Sequence, residues 1–411
     1  MIKILFLPII LLAATLTACL PVAYMTADTA AIMPLIEQSV EPTPSPIPES
    51  PPQPTSTPTP TPPPTLTAKL MAVGDLMLHQ AQVDDAYERN TGEYDFDKAF
   101  SVIAPYLSDG YAIGNLETVF DGGPFRDFPM FNAPDEFGLA IGRAGFNLLS
   151  TANNHSNDRH TKGILRTIEV LDELGIDHVG SYASQEERDE IFVKDIDGIT
   201  FAFLAYTYGL NGLPLERGRE YMVNIINENY MLDDIRRARE SGADFVVVLP
   251  HMGNEYELQP RQVFKNWIKL MMDAGADIVL ASHPHVLQSA EFIELDDGRE
   301  GFVVYSLGNF VSGQRTHPRD AGVIANLYFE KPPGEQARIA KVEFVPTWVQ
   351  FRNNSGASDI KILPVADTLR AVEEGEEHNL RPQDINRMKN VWRDAVNIYG
   401  DWTAGLELEG K

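Results

Sequence analysis

Three of the nine histidines in this 411-residue sequence, His251, His283 and His285, fall just after short apolar runs at residues 245–249 and 277–281. An imidazole nitrogen is a good ligand for a transition metal and carries protons near neutral pH. Ser282-His283-Pro284-His285 points two such rings into one small space, which structural cores seldom need. A fourth ring, His155, closes Asn153-Asn154-His155 after the apolar run at residues 147–151. Upstream, residues 70–73 deliver Gly74-Asp75, and residues 111–113 deliver Gly114-Asn115-Leu116-Glu117. Carboxylate, amide and imidazole donors at five such places form the pattern of a mixed oxygen and nitrogen metal site, of the kind used in hydrolysis. The alternative is a set of capping and turn residues at sheet edges. It explains Asp and Asn well, but three converging histidines poorly.

For these groups to meet, each must sit at the carboxyl end of a buried strand, where open α/β sheets gather their ligands. From about residue 69 to residue 330, apolar runs of four to six residues alternate with helical patterns. That rhythm predicts an α/β fold, a sheet with helices on its faces. Residues 161–174 carry Ile164, Leu165, Ile168, Leu171 and Leu174 at helical spacing, with Gly175 as the stop. Helices are also predicted over residues 229–240 and 261–274, and each leads through Gly-Ala-Asp into a strand and a histidine. Residues 302–306 predict another strand, ending in Leu307-Gly308-Asn309-Phe310. Beyond residue 330 the signal weakens to a flanking strand at residues 339–348 and a closing amphipathic helix at residues 381–399.

The amino terminus has a different character. Met1-Ile2-Lys3 is a short basic start, and residues 4–16 are an almost unbroken apolar run ending near Leu16-Thr17-Ala18-Cys19. The run is shorter than the ~20 residues a spanning helix needs, so residues 1–18 are expected to be a secretory leader. The chain has a single cysteine and therefore no internal disulfide. Leu-Thr-Ala-Cys resembles the lipobox of bacterial lipoproteins, in which the cysteine becomes the lipid-modified first residue. A free thiol beside an ordinary cleavage site is the other reading. Two or more acyl chains anchor a protein stably where one does not, and a diacylglyceryl Cys19 meets that requirement. Residues 41–64 are dominated by Pro, Thr and Ser and favour a polyproline stalk, so residues 19–65 read as a lipid-anchored linker. The expected location is outside the cytoplasmic membrane. Fifty-nine acidic residues against 33 basic ones give a formal net charge of -26, which disfavours nucleic acid and broad polyanion binding.

Six short segments, in this order, resemble the CapA family, named for poly-γ-glutamate capsule synthesis, whose fold is similar to calcineurin-like metallophosphoesterases. They are Ala72-Val-Gly-Asp75, Gly114-Asn-Leu-Glu117, Ala152-Asn-Asn-His155, Pro250-His251 with Gly253, His283-Pro-His-Val286 and Ser306-Leu-Gly-Asn-Phe310. The resemblance covers roughly residues 68–330. It implies a sandwich of β-sheets flanked by helices, with a domain over residues 66–350 and residues 351–411 as a C-terminal extension packed on it. It also implies that Asp75, Glu117, Asn154, His251, His283 and His285 surround one or two divalent ions. Imidazole and carboxylate suit zinc, manganese or iron more than calcium. His155 would be a general acid near the leaving group, or else a hydrogen-bonding residue that holds its loop.

Two departures from the phosphoesterase pattern bear on the reaction. Asp75-Leu76-Met77 has methionine where Asp-x-His has histidine, and Asn115 stands where a bridging aspartate is usual. Either Glu117 reaches in to replace that carboxylate or the site holds one metal. His79 is either a substitute ligand or a helix-start residue. His160, His178, His317 and His378 read as surface or loop residues, Asn309 as a turn or cleft residue, and Arg126 and Arg143 as candidate anion contacts.

The leading expectation is thus a lipid-anchored, extracytoplasmic metallohydrolase-like protein in capsule or surface-polymer assembly. Its substrate would be a phosphoester or a γ-glutamyl amide, with capsule-synthesis membrane proteins as possible partners. A non-catalytic polymer-anchoring or polymer-binding lipoprotein with a structural metal site is the rival. A substrate-binding lipoprotein for import fits less well, because it has no need of clustered histidines unless its cargo is a metal.

Overall fold

The strand Leu66–Leu76 is apolar on both faces. Leu70 and Ala72 point into one hydrophobic layer, while Met71 and Val73 point into another. A strand covered on both sides reads as a continuous apolar run rather than an alternating one, which is why such runs stand out in the sequence. The structure, a computed structural model, describes residues 63–354, 357–376 and 380–405. The expected leader, Cys19 and the proline-rich stalk lie outside the described residues.

Leu66–Leu76 lies in an eight-stranded sheet. On one side it pairs in parallel with Tyr111–Leu116, followed outward by Phe146–Ser150 and Asp177–Val179. On the other side it pairs antiparallel with Ala321–Lys331, followed by Arg338–Asn354 and Ala357–Pro364. The second sheet has six strands, with Ile199–Thr207, Phe245–His251, Ile278–Leu280 and Glu300–Val304 in parallel at its centre. The two sheets pack face to face: Leu70, Ala72 and Leu148 of the first share a core with Phe201, Phe203, Val247 and Ile278 of the second. Helices Asp135–Arg143 and His160–Leu174 cover the outer face of the first sheet, and Glu228–Glu240 and Gln262–Asp273 that of the second. The expected sandwich of sheets flanked by helices is therefore present.

The helix His160–Leu174 stops at Gly175, whose φ of 68° is the left-handed conformation that glycine adopts at least cost. Beyond residue 330 the expected flanking strand and closing helix are present as Arg338–Asn354 and Pro382–Tyr399. Residue 350 falls inside Arg338–Asn354, so the segment after it completes the large sheet rather than forming an added extension. In Arg338–Asn354 buried and more exposed positions alternate over residues 341–345, a weaker sequence signal than the buried parallel runs. Helices Val365–Glu373 and Pro382–Tyr399 then pack over Trp348 and Leu363. Asp320 ties this end of the chain to the rest, accepting from Trp348 Nε1 at 2.9 Å and Arg387 Nε at 2.7 Å.

Candidate metal centre

Because the central strands of each sheet run parallel, their carboxyl ends emerge on one edge, and there the two sheets' polar residues meet. Asp75, Asn115, Glu117, Asn154 and His155 come from the first sheet, and His251, Ser282, His283 and His285 from the second; all are buried. Burying so many polar groups is unfavourable unless they satisfy one another. The surrounding core offsets that cost, at roughly 1.5–3 kcal/mol for each fully buried large aliphatic or aromatic side chain.

Two tight backbone approaches aim the ligand side chains. A Cβ on Gly74 would stand 1.9 Å from the Gly308 carbonyl oxygen, so only glycine lets the 307–309 segment lie against the first strand. Asp75 N–H donates to that same oxygen at 3.0 Å, and Asn309 is thereby brought beside Asp75. The His-x-His turn is strained: His283 has φ 103° and His285 φ 57°, values that non-glycine residues rarely adopt. The preceding strand holds it, with Ser282 N–H donating to Pro250 O at 3.1 Å and Met252 N–H to Ser282 O at 3.0 Å.

The resulting contacts fix each ring. His285 Nδ1 lies 2.9 Å from Asp75 Oδ2 and 3.1 Å from Asn309 Oδ1, which leaves Nε2 turned toward Glu117 at 3.8 Å. His251 Nδ1 lies 2.9 Å from Ser282 Oγ; its Nε2 is 2.7 Å from Asn154 Oδ1 and 3.7 Å from Glu117 Oε1. Burial, and then the neighbouring His283, holds the His251 imidazole well below its ordinary pKa. Burial and His285 push His283 down to about 3. Both are therefore neutral near pH 7, the form in which imidazole ligates.

Glu117 is the anomaly of the cluster. It is fully buried, and neither carboxylate oxygen has a hydrogen-bond donor. Burial and then the charge of Asp75 raise its pKa well above the usual range. His283 Nδ1 is likewise buried without a partner. An orphaned carboxylate costs about 1–3 kcal/mol or more, and a cation would remove that cost. Metal–oxygen and metal–nitrogen bonds run to about 2.0–2.2 Å. Ligand atoms 3.7–3.8 Å apart can therefore share one ion. Glu117 belongs to two such sets, Glu117–His251–His283 and Asp75–Glu117–His285, the ligand atoms of each lying within 4.8 Å of one another. The donor set thus fits a divalent transition ion, with Glu117 placed between two positions. Asn115 instead orients ligands, its Nδ2 donating to Asp75 Oδ1 at 2.8 Å and approaching His251 Nδ1 at 3.2 Å.

His155 is built differently. Its Nδ1 lies 2.7 Å from Asp158 Oδ2, an oxygen that also accepts from Phe131 N–H at 2.7 Å. The ring packs edge-on against Phe131 with centroids 4.6 Å apart. A carboxylate on Nδ1 fixes the tautomer and leaves Nε2 to exchange a proton. Asp158, three residues on, is a partner that the sequence reading missed, although the i, i+3 spacing was there to be read.

Other candidates fall elsewhere. His79 starts the helix Gln80–Ala86, its N–H donating to Gln82 Oε1 at 2.8 Å and its Nδ1 accepting from Gly313 N–H at 3.0 Å. Met77 is buried in the core and supplies no donor. Arg143 pairs with Asp97 at 2.9 Å on the surface, and Arg126 makes a backbone bridge to Asn132. His178 and His317 pair with Asp172 and Asp394, and His160 begins its helix; His378 lies outside the described residues. The rim also holds residues no motif announced. Tyr208, half-exposed, lies over His283 with centroids 4.6 Å apart, and Arg319 caps the Tyr256 ring at 4.4 Å.

Comparison with known proteins places much of this chain in one family. A family model described as "Bacterial capsule synthesis protein PGA_cap" matches residues 69–314. The chain is 32% identical over 263 residues to the capsule biosynthesis protein CapA of Bacillus anthracis, covering 61% of this chain and 62% of that one. It is 29% identical over 265 residues to the PGA biosynthesis protein CapA of Bacillus subtilis (strain 168), covering 61% and 65%. The match thus spans less than two thirds of either relative. Among solved structures, the calcineurin-like phosphoesterase YfkN of Bacillus subtilis aligns with a TM-score of 0.38 at 12% identity, over 80% of this chain and 99% of that chain.

Proposed function

Since this chain belongs to the bacterial capsule synthesis protein PGA_cap family, we propose that it is a metal-dependent hydrolase acting on a capsular polymer or its precursor. The observation that supports this most is Glu117, a buried carboxylate without a donor between His251 and His285. Asp75, Glu117, Asn154, His251, His283 and His285 would hold one or two zinc, manganese or iron ions. When bound, such ions lower the pKa of a water and stabilise charge on the attacked oxygen.

The protein's own groups do the rest. Asp75 and Ser282 hold His285 and His251 by their Nδ1 atoms, which aims the Nε2 atoms inward. His155 carries a proton on Nε2 to the departing oxygen or nitrogen, while Asp158 steadies the imidazolium that precedes the transfer. A phosphoester and a γ-glutamyl amide are both served by that arrangement. The test is turnover of a chromogenic phosphodiester and of a γ-glutamyl oligomer by the metal-loaded chain. At least one should be hydrolysed, and chelation should abolish the reaction. If neither is hydrolysed, the non-catalytic reading stands, a polymer-binding protein with a structural metal site. Met77 and Asn115 favour that second reading, since neither supplies the ligand that the phosphoesterase pattern has there.

We further propose that Cys19 anchors the chain by lipid outside the cytoplasmic membrane, with the proline-rich stretch as a stalk and membrane proteins of capsule assembly nearby. Labelled fatty acid fed to an expressing bacterium should mark the wild type and not Cys19→Ser. Equal labelling of the two would remove the anchor from the scheme.

A further inference from the structure

We propose that Glu255 is a ligand of the metal centre, closing it from the solvent side by holding a second divalent ion with His283 and His285. The inference rests on the metal centre proposed above, adds one carboxylate to it and makes that carboxylate a ligand of the outer of its two ions. The ligand atoms of Glu255, His283 and His285 lie within 4.8 Å of one another, the same spread as in the two inner sets.

Glu255 is exposed, yet the backbone that presents it is built with a rigidity that a solvated side chain does not need. The next residue, Tyr256, is held at φ 68°, a left-handed conformation that a residue with a Cβ adopts only at a cost. Its N–H donates to Pro284 O at 2.8 Å, in the middle of the His-x-His turn. Gly253, at φ 142°, lies so close that a Cβ there would be 2.8 Å from Pro284 Cγ. On the far side, Gln288 Nε2 donates to Glu257 O at 2.6 Å. The 253–257 segment is thus clasped to residues 284–288, which holds the Glu255 backbone beside the two histidines.

Charge and hydrogen bonding point the same way. Glu257 is paired with Arg261, whereas Glu255 stands near Glu117 and adds to the repulsion on that buried carboxylate. Two divalent ions bring four positive charges, and Asp75, Glu117 and Glu255 together supply three negative ones. One net charge is left for a bound hydroxide or an anionic substrate group. His285 has only Nε2 free of Asp75, so it would serve the Glu255 ion while Glu117, His251 and His283 hold the inner one. The buried and unpartnered Nδ1 of His283 means that ring has a free nitrogen as well.

The test uses the full chain stripped of metal and titrated with zinc in competition with a chromophoric chelator. Cobalt absorption gives a second reading of ligand number. Glu255→Gln preserves size and exposure, and Glu257→Gln removes a nearby charge without touching the centre. The parent and Glu257→Gln should take up two ions. Glu255→Gln should bind the weaker of the two at least tenfold less tightly, with an altered cobalt spectrum. An isotherm for Glu255→Gln that overlays that of Glu257→Gln overturns the assignment, as does a parent that saturates at one ion. A parent that binds no metal overturns this proposal and the centre beneath it. A parent with two ions and no turnover counts against catalysis alone.

Discussion

His155→Ala is expected to keep its metal and to lose about 10²–10⁴-fold in turnover, the range over which a positioned general acid acts. The expectation follows from where the ring is held. Its contacts are Asp158 through Nδ1 and Phe131 in an edge-on packing, and it belongs to none of the candidate sets that converge on Glu117. Alanine therefore removes a proton carrier and leaves the inner sets intact. Asp158→Asn should fall between the two, because the amide keeps the contact but no longer favours the imidazolium. Metal content and turnover on whichever substrate the parent cleaves decide the matter together. If His155→Ala is stripped of metal, the ring is structural; if it turns over at the parental rate, the proton comes from elsewhere.

Glu117→Gln should show the largest effect on stability, and only when metal is present. A ligand at a thousand times its Kd stabilises the folded state by about 4 kcal/mol. A domain of more than 300 residues shifts in Tm by roughly 1–2 °C for each kcal/mol, so zinc or manganese should raise the parent's Tm by roughly 6 °C. The amide cannot neutralise a cation, and most of that rise should vanish in Glu117→Gln. Without metal the order reverses or closes, because the variant no longer buries a carboxylate that has no donor. Thermal scans of both proteins with and without metal give the four values needed. An undiminished rise in Glu117→Gln removes this residue from the centre.

The strand ends that carry the site were legible because parallel strands buried on both faces leave long apolar runs, and the residue after each run is placed by default. His251, His283, His285 and Asp75 could be found in that way, and the structure brings all four together. Asn115 and Glu117 were harder. They are two residues apart at the end of one strand, and only the second sheet decides that the amide orients ligands while the carboxylate lies among them. Glu255 was not legible, since its place depends on the clasp between the 253–257 segment and Pro284, a contact across a turn that no spacing announces. The boundary drawn near residue 350 falls inside Arg338–Asn354 because only a short stretch of that strand, residues 341–345, alternates in burial.

Asp75 and His285 touch across a sequence separation of 210 residues, one from each sheet. A contact that distant forms only after most of the chain has been brought into place, because the entropy of closing so large a loop precedes any gain from it. The assembly of this cluster is therefore expected late in folding, and a metal bound there would act as a cross-link between sheets in a chain whose single cysteine can form no internal one. The ion would be a clasp on a finished sandwich rather than a seed for it.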